Sequence, residues 1–270
     1  MHPDVEARSL EENQKWQEEN NQVKVEALSK SEKEVTIAPS LTFEEAFYRF
    51  PEISETIEAH QDFTTPTPIQ SQLWPIALRG RDCIGISQPG SGKTLGFLAP
   101  LIAHVKYGGV FKEKQRIDEE SDFSQTERNP DSRNKIRLCD LETPSALVIA
   151  PTRELAEQIE RQIQTFFTNF VVEEVDGKKI MFRSAVFTGG RRKEDQEMIL
   201  RSNEEFPHLV VGTPGRLKDL LGLTAGSGGS ESLDLRNVTF VVLDEADRML
   251  DKGFQPDIKA ILGHGLIKFI

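Results

Sequence analysis

Beyond residue 42, short apolar runs alternate with amphipathic stretches for most of the chain. The runs 82–86, 146–150, 184–188, 208–212 and 238–243 are brief and apolar or β-branched, which predicts strands. Helices are predicted over 69–78, 93–105, 152–169, 190–202, 215–221 and 254–262. Upstream, Phe43, Phe47, Phe50, Ile53 and Ile57 form another apolar face at near-helical spacing. Strands alternating with helices predict βαβ units, hence an α/β fold with a mostly parallel sheet and helices on both faces. Runs as continuously apolar as Phe240-Val241-Val242-Leu243 suit a sheet covered on both sides.

Three stretches break the alternation. Residues 1–41 are rich in Glu, Lys, Gln and Asn and poor in aromatics. They bury too little apolar surface to offset ordering entropy, so composition favours a disordered charged tail over a frayed solvated helix. Residues 112–142 are charged and aperiodic, which predicts a long inserted loop, and Gly226-Ser227-Gly228-Gly229 predicts a flexible connector. The domain proper is expected over 42–270.

Charge changes the picture only locally. The chain carries a formal −11, which opposes polyanion binding on its face. Residues 1–40 hold nine acidic and five basic side chains, and 112–142 hold nine and seven. These two segments therefore contribute −4 and −2, leaving room for a cationic face elsewhere. Cys83 and Cys139 lie in no metal-ligand spacing and make no disulfide framework, which fits a reducing intracellular setting. Cys83 is expected inside a buried strand, and Trp74 in a core. No apolar run is long enough to cross a bilayer, so no membrane role is expected.

Ser87-Gln88-Pro89-Gly90-Ser91-Gly92-Lys93-Thr94 sits between a predicted strand and a predicted helix, the context of a P-loop. Glycines let backbone N–H groups converge on phosphate oxygens, and the helix N-terminus adds positive potential. Lys93 would reach the terminal phosphates and Thr94 would bind Mg²⁺. The loop departs from the general pattern in opening on Ser87, and Pro89 has no N–H to offer. Asp244 and Glu245 follow an apolar strand. Asp244 suits the metal shell and Glu245 the orientation of an attacking water.

Taken together these residues resemble the DEAD-box family of ATP-dependent RNA helicases. Asp244-Glu245-Ala246-Asp247 is that family's name motif, and the resemblance runs from about Phe43 to Leu262. It implies a RecA-like P-loop NTPase lobe that takes ATP and Mg²⁺. It also implies catalytic roles for Lys93, Asp244 and Glu245. Pro66-Thr67-Pro68-Ile69-Gln70, with Phe63 upstream, is similar to the family's adenine-reading motif: Phe63 would stack on the base and Gln70 would read its edge. Pro151-Thr152-Arg153-Glu154, Gly189-Gly190 and Thr213-Pro214-Gly215-Arg216 are similar to its RNA-backbone motifs, which position a strand without reading bases. Each short motif also has a plainer reading: Thr-Pro-Gly is a turn, and Arg153 can pair with Glu157 one helical turn away. The Arg191-Arg192-Lys193 cluster suits phosphate binding and a solvated helix start equally.

The family's Ser-Ala-Thr motif and second lobe have no counterpart here, so the chain is expected to hold the first lobe without its C-terminal part. A second helicase lobe is the expected partner in the full protein, in the nucleus or cytoplasm. A non-catalytic nucleotide- or RNA-binding module is the alternative reading.

Overall fold

The computed structural model describes residues 2–20, 23–26, 37–60, 63–119, 143–175, 177–202, 206–224 and 231–264. The chain divides into two compact units, Met1–Ala103 and His104–Ile270.

The first unit opens with α1 (Pro3–Ala7) and α2 (Leu10–Glu19), followed by α3 (Phe43–Phe47), α4 (Pro51–Glu58) and α5 (Pro68–Ala77). Phe43 and Phe47 lie one turn apart, as do Ile53 and Ile57, and all four are buried. Pro51 starts α4 because a first-turn residue needs no N–H donor, and this splits the predicted single face into two helices. Trp74 of α5 closes the cluster, with ring centroids 5.8 Å from Phe43 and 4.9 Å from Phe47.

Pro75 lies inside α5 and cannot donate to the carbonyl four residues back, that of Ser71. That carbonyl instead accepts the backbone N–H of Ser40 at 2.9 Å. Gln72 Nε2 adds a 2.8 Å bond to the Ile37 carbonyl.

The predicted disordered tail is corrected among its described residues. Ser9 and Glu12 form a reciprocal capping box that starts α2. Arg8 pairs with Glu45 at 2.7 Å, both side chains nearly buried, and also donates to the Pro39 carbonyl. Val5 is 3% exposed. Composition underweights such a segment because a few specific contacts, rather than bulk apolarity, hold it.

Helix α6 runs Lys93–Glu119, so its backbone continues into the start of the predicted inserted loop. The rest of that loop and the Gly226–Gly229 connector lie outside the described residues. The predicted strand 82–86 joins neither sheet, and Ile84 and Ile86 are 74% and 89% exposed. Cys83, expected in a buried strand, is exposed. β-Propensity does not make a strand unless a neighbour supplies the ladder.

The second unit follows the predicted alternation: β1 (Ala146–Ile149), α7 (Arg153–Phe167), β2 (Val171–Val175), β3 (Lys178–Met181), β4 (Ser184–Phe187), α8 (Lys193–Arg201), β5 (Leu209–Gly212), α9 (Pro214–Leu220), β6 (Phe240–Leu243), α10 (Ala246–Asp251) and α11 (Gln255–Gly263). Strands β4-β5-β1-β6 form one parallel sheet in that order. Strands β1 and β5 are buried throughout, as central parallel strands must be. Helix α7 buries Ala156, Ile159, Ile163, Phe166 and Phe167, the three-and-four spacing the sequence displays. The antiparallel hairpin β2–β3, turning at Gly177 (φ 76°), has no counterpart in the predicted elements. Its Glu-Glu and Lys-Lys pairs hide the alternation that signals a strand.

His208 precedes β5, stacked on Phe182 with its Nδ1 accepting the Arg183 backbone N–H. Burial, helped by the Arg183 charge, pushes its pKa down to about 4. The unfolded chain therefore binds a proton between about pH 6.5 and 4 that the folded chain refuses, so stability falls as pH drops through that window. Denaturant melts at pH 7.5 and pH 4.5 should differ by up to about 3 kcal/mol. His208→Gln should flatten that dependence.

Candidate nucleotide and nucleic-acid sites

The P-loop lies in the first unit. Gly90 and Gly92 have φ of 76° and 89°, a conformation that side chains rarely adopt. A Cβ on Gly92 would stand 2.6 Å from Gln70 Nε2 and 3.1 Å from Thr67 Oγ1, so the loop packs against the start of α5. Gln70 is almost wholly buried. Its Nε2 donates to the Gly92 carbonyl at 2.9 Å and its Oε1 accepts the Thr67 N–H at 3.0 Å. Both ends of the amide are thereby fixed, leaving one N–H and one lone pair. Lys93, the first residue of α6, curls back so that Nζ donates to the carbonyls of Ser87 (2.7 Å) and Gln88 (2.8 Å). The hydroxyls of Ser87 and Ser91 meet at 2.6 Å across the loop. Turn glycines, a helix start and a lysine at its first position form a cradle that fits a polyphosphate. Phe63 is half-buried, its N–H bonded to the His60 carbonyl, and Thr94 lies half-buried in the first turn of α6.

In the second unit the sheet register sets the geometry. Phe187 pairs with Gly212, Gly212 with Ile149, and Ile149 with Leu243. The four strands therefore end abreast, and each candidate motif begins within two residues of that row. Ligands of open parallel sheets bind at this edge. Asp244 N–H extends the ladder to the Ile149 carbonyl, and Asp244 Oδ1 accepts the Glu245 N–H. Glu245 sits at φ 50°, in the left-handed region that costs a non-glycine residue energy, and its carboxylate pairs with Arg248 at 2.6 Å. Among the described residues no three His, Cys, Asp or Glu side chains gather as a metal site. The Asp244 carboxylate is of a type that suits Mg²⁺, an ion that usually takes one or two protein ligands with phosphates and water completing its shell.

The three candidate RNA motifs converge. Thr152 caps α7 by accepting the Leu155 N–H, and Pro151 is buried behind it. Arg153 Nε donates to Glu157 Oε1 at 2.9 Å, as the one-turn spacing allows, and Glu154 is exposed. Gly190, at φ 80°, has Arg153 Nη1 only 3.3 Å from the site of a Cβ. Arg216 Nη2 donates to the Arg191 carbonyl at 3.0 Å, while its Nε and Nη1 are buried without a hydrogen-bond partner among the described residues. Gly189, Thr213, Pro214, Gly215 and Arg216 line one open cleft of about 510 Å³. The hydrogen bond from Arg153, reinforced by one from Arg191, holds the Glu157 carboxyl below its usual range, so it remains ionised. The bridging role of Glu157 is only half visible in sequence: its partner on α7 is one turn away, but Arg191 is 34 residues distant.

The fold is a RecA-like α/β lobe. Residues 67–268 match the DEAD/DEAH box helicase family, and the chain belongs to that family. It is 35% identical over 256 residues to the probable ATP-dependent RNA helicase DDX43 of Homo sapiens, covering 95% of this chain and 32% of that protein. It is 36% identical over 262 residues to the ATP-dependent RNA helicase DBP2 of Chaetomium thermophilum, covering 97% and 37%. The yeast DEAD-box splicing factor Prp28 shares its fold, with a TM-score of 0.68 at 24% identity, covering 98% of this chain and 50% of that one. The chain thus spans about a third of the length of these curated relatives. Among the described residues no helix is long and apolar enough to cross a membrane.

Proposed function

We propose that this chain is the ATP- and RNA-binding lobe of an ATP-dependent RNA helicase. The observation that carries the reading is the convergence of Arg153, Gly190 and Arg216, from three separate motifs, on one sheet edge. Buried guanidinium N–H groups without partners, such as those of Arg216, are costly unless a ligand takes them up. A phosphodiester does so, and a backbone track of this kind binds strands independently of sequence.

At the nucleotide site, Lys93 would leave the loop carbonyls for the β- and γ-phosphates. The amides of Gly90 through Thr94 would surround them, aided by the Gln88 and Ser91 segments of the loop. Pro89 shapes that turn without donating. Phe63 would stack on adenine and Gln70 would read its edge. Thr94 in the first unit and Asp244 in the second are each of a type that would ligate Mg²⁺, which would supply charge neutralisation to the phosphates, and Glu245 would orient the attacking water. In the full protein, hydrolysis would be coupled to local strand separation. Closure against a second lobe would supply an arginine and exclude water.

Salt dependence tests the RNA half of this proposal. In a titration of labelled oligouridylate, Arg153→Gln and Arg216→Gln should each reduce the slope of log K against log salt by about 0.7, the value of one single-strand phosphate contact. Unchanged slopes in both folded variants would contradict the assignment.

A further inference from the structure

The three basic residues that open α8 do not behave alike. Lys193 Nζ lies 3.5 Å from Glu197 and donates to the Asp219 carbonyl, so it is committed to helix packing. Arg192 is 78% exposed and only loosely paired with Glu194 at 3.9 Å. Arg191 turns the other way. Its Nη2 donates to Glu157 Oε1 at 2.8 Å, the same oxygen that accepts Arg153 Nε. Its carbonyl accepts Arg216 Nη2. Arg191 therefore reaches Glu157 of α7 through its side chain and Arg216 of α9 through its backbone carbonyl, directly after Gly190.

The geometry points to Arg191 as a further phosphate-contacting residue of the RNA track, with Glu157 as the residue that positions it beside Arg153. This rests on the RNA-binding reading above. A guanidinium has five N–H donors, and Glu157 occupies one from each arginine, leaving the rest open. Their side chains are 46% and 49% exposed, so each is pinned yet half open to solvent. Pinning matters because a long side chain otherwise loses rotamer freedom when it meets its ligand. A single carboxylate between two guanidinium groups leaves a net positive charge, to which Arg216 adds. The attraction is thus to an anion, and the adjacent glycines admit a strand's backbone closely.

The test is a set of salt titrations with fluorescein-labelled oligouridylate and oligoadenylate on the whole chain, with a thermal melt for each variant. Arg191→Gln should lower the slope of log K against log salt by about 0.7, equally for both oligonucleotides. Arg191→Lys should restore the slope, since the charge returns. Arg201→Gln, which removes an exposed arginine at the far end of α8, should leave it unchanged. Removing Arg191 also leaves Glu157 with one partner fewer, so the double variant Arg191→Gln/Glu157→Gln separates contact from neutralisation. A slope that stays low in the double variant supports direct contact, and a slope that returns to the parent value overturns it. If Arg153→Gln and Arg216→Gln lower the slope but Arg191→Gln does not, this inference fails and the RNA reading stands. If none of the three changes it, the RNA reading fails as well.

Discussion

Lys93→Ala should weaken binding of a fluorescent ATP analogue by about 10- to 100-fold, the worth of a charge-assisted hydrogen bond. The thermal melt should hardly move. Among the described residues Lys93 bonds to the carbonyls of Ser87 and Gln88, at an exposed loop, so its removal opens no cavity. The alanine still begins α6, and Gly92 still packs on Gln70. Titration of the folded variant decides the matter. Parent-like affinity would remove the phosphate site from the account.

The largest stability effect is expected at Trp74→Ala, a loss of about 3–5 kcal/mol from a total that for a domain is about 5–15 kcal/mol. Trp74 is fully buried between Phe43 and Phe47, and its helix carries Gln70. Its Nε1–H is buried without an acceptor among the described residues, so Trp74→Phe removes an unsatisfied donor while keeping a ring. Trp74→Phe should therefore be much milder in a urea melt. Equal losses for the two variants would mean that ring volume contributes little to the cluster.

These residues also mark what the sequence made legible. The apolar runs at 146–150 and 208–212 became fully buried parallel strands, because continuous burial leaves an unambiguous signature. The face of α7 was equally plain. The run 82–86, with Ile84 and Ile86 in alternation, also reads as a strand, yet it lies outside both sheets, because pairing is a property of the neighbour and not of the run. The hairpin Val171–Met181 was hidden by paired charges on short strands. The N-terminal helices were overlooked by composition, although Ser9-Leu10-Glu11-Glu12 spells a capping box. Candidate site residues were readable as motifs because their chemistry is local. Their convergence was not, since it depends on strand register. The link from Glu157 to Arg191 depends on two elements meeting that are 34 residues apart.

The most direct test of the central claim exploits the fixed amide of Gln70. Its Oε1 is held by the Thr67 N–H and its Nε2 by the Gly92 carbonyl, so the group cannot flip to suit a different base. The remaining lone pair would meet the amino group of adenine, whereas guanine would present an oxygen there. The measurement is displacement of a fluorescent ATP analogue from the unmodified chain, with Mg²⁺ present, by unlabelled ATP or GTP. Binding should be saturable, ATP should displace the analogue at much lower concentration than GTP, and Gln70→Ala should lose the difference. Equal displacement by both nucleotides, or no saturable binding by the folded chain, would contradict it.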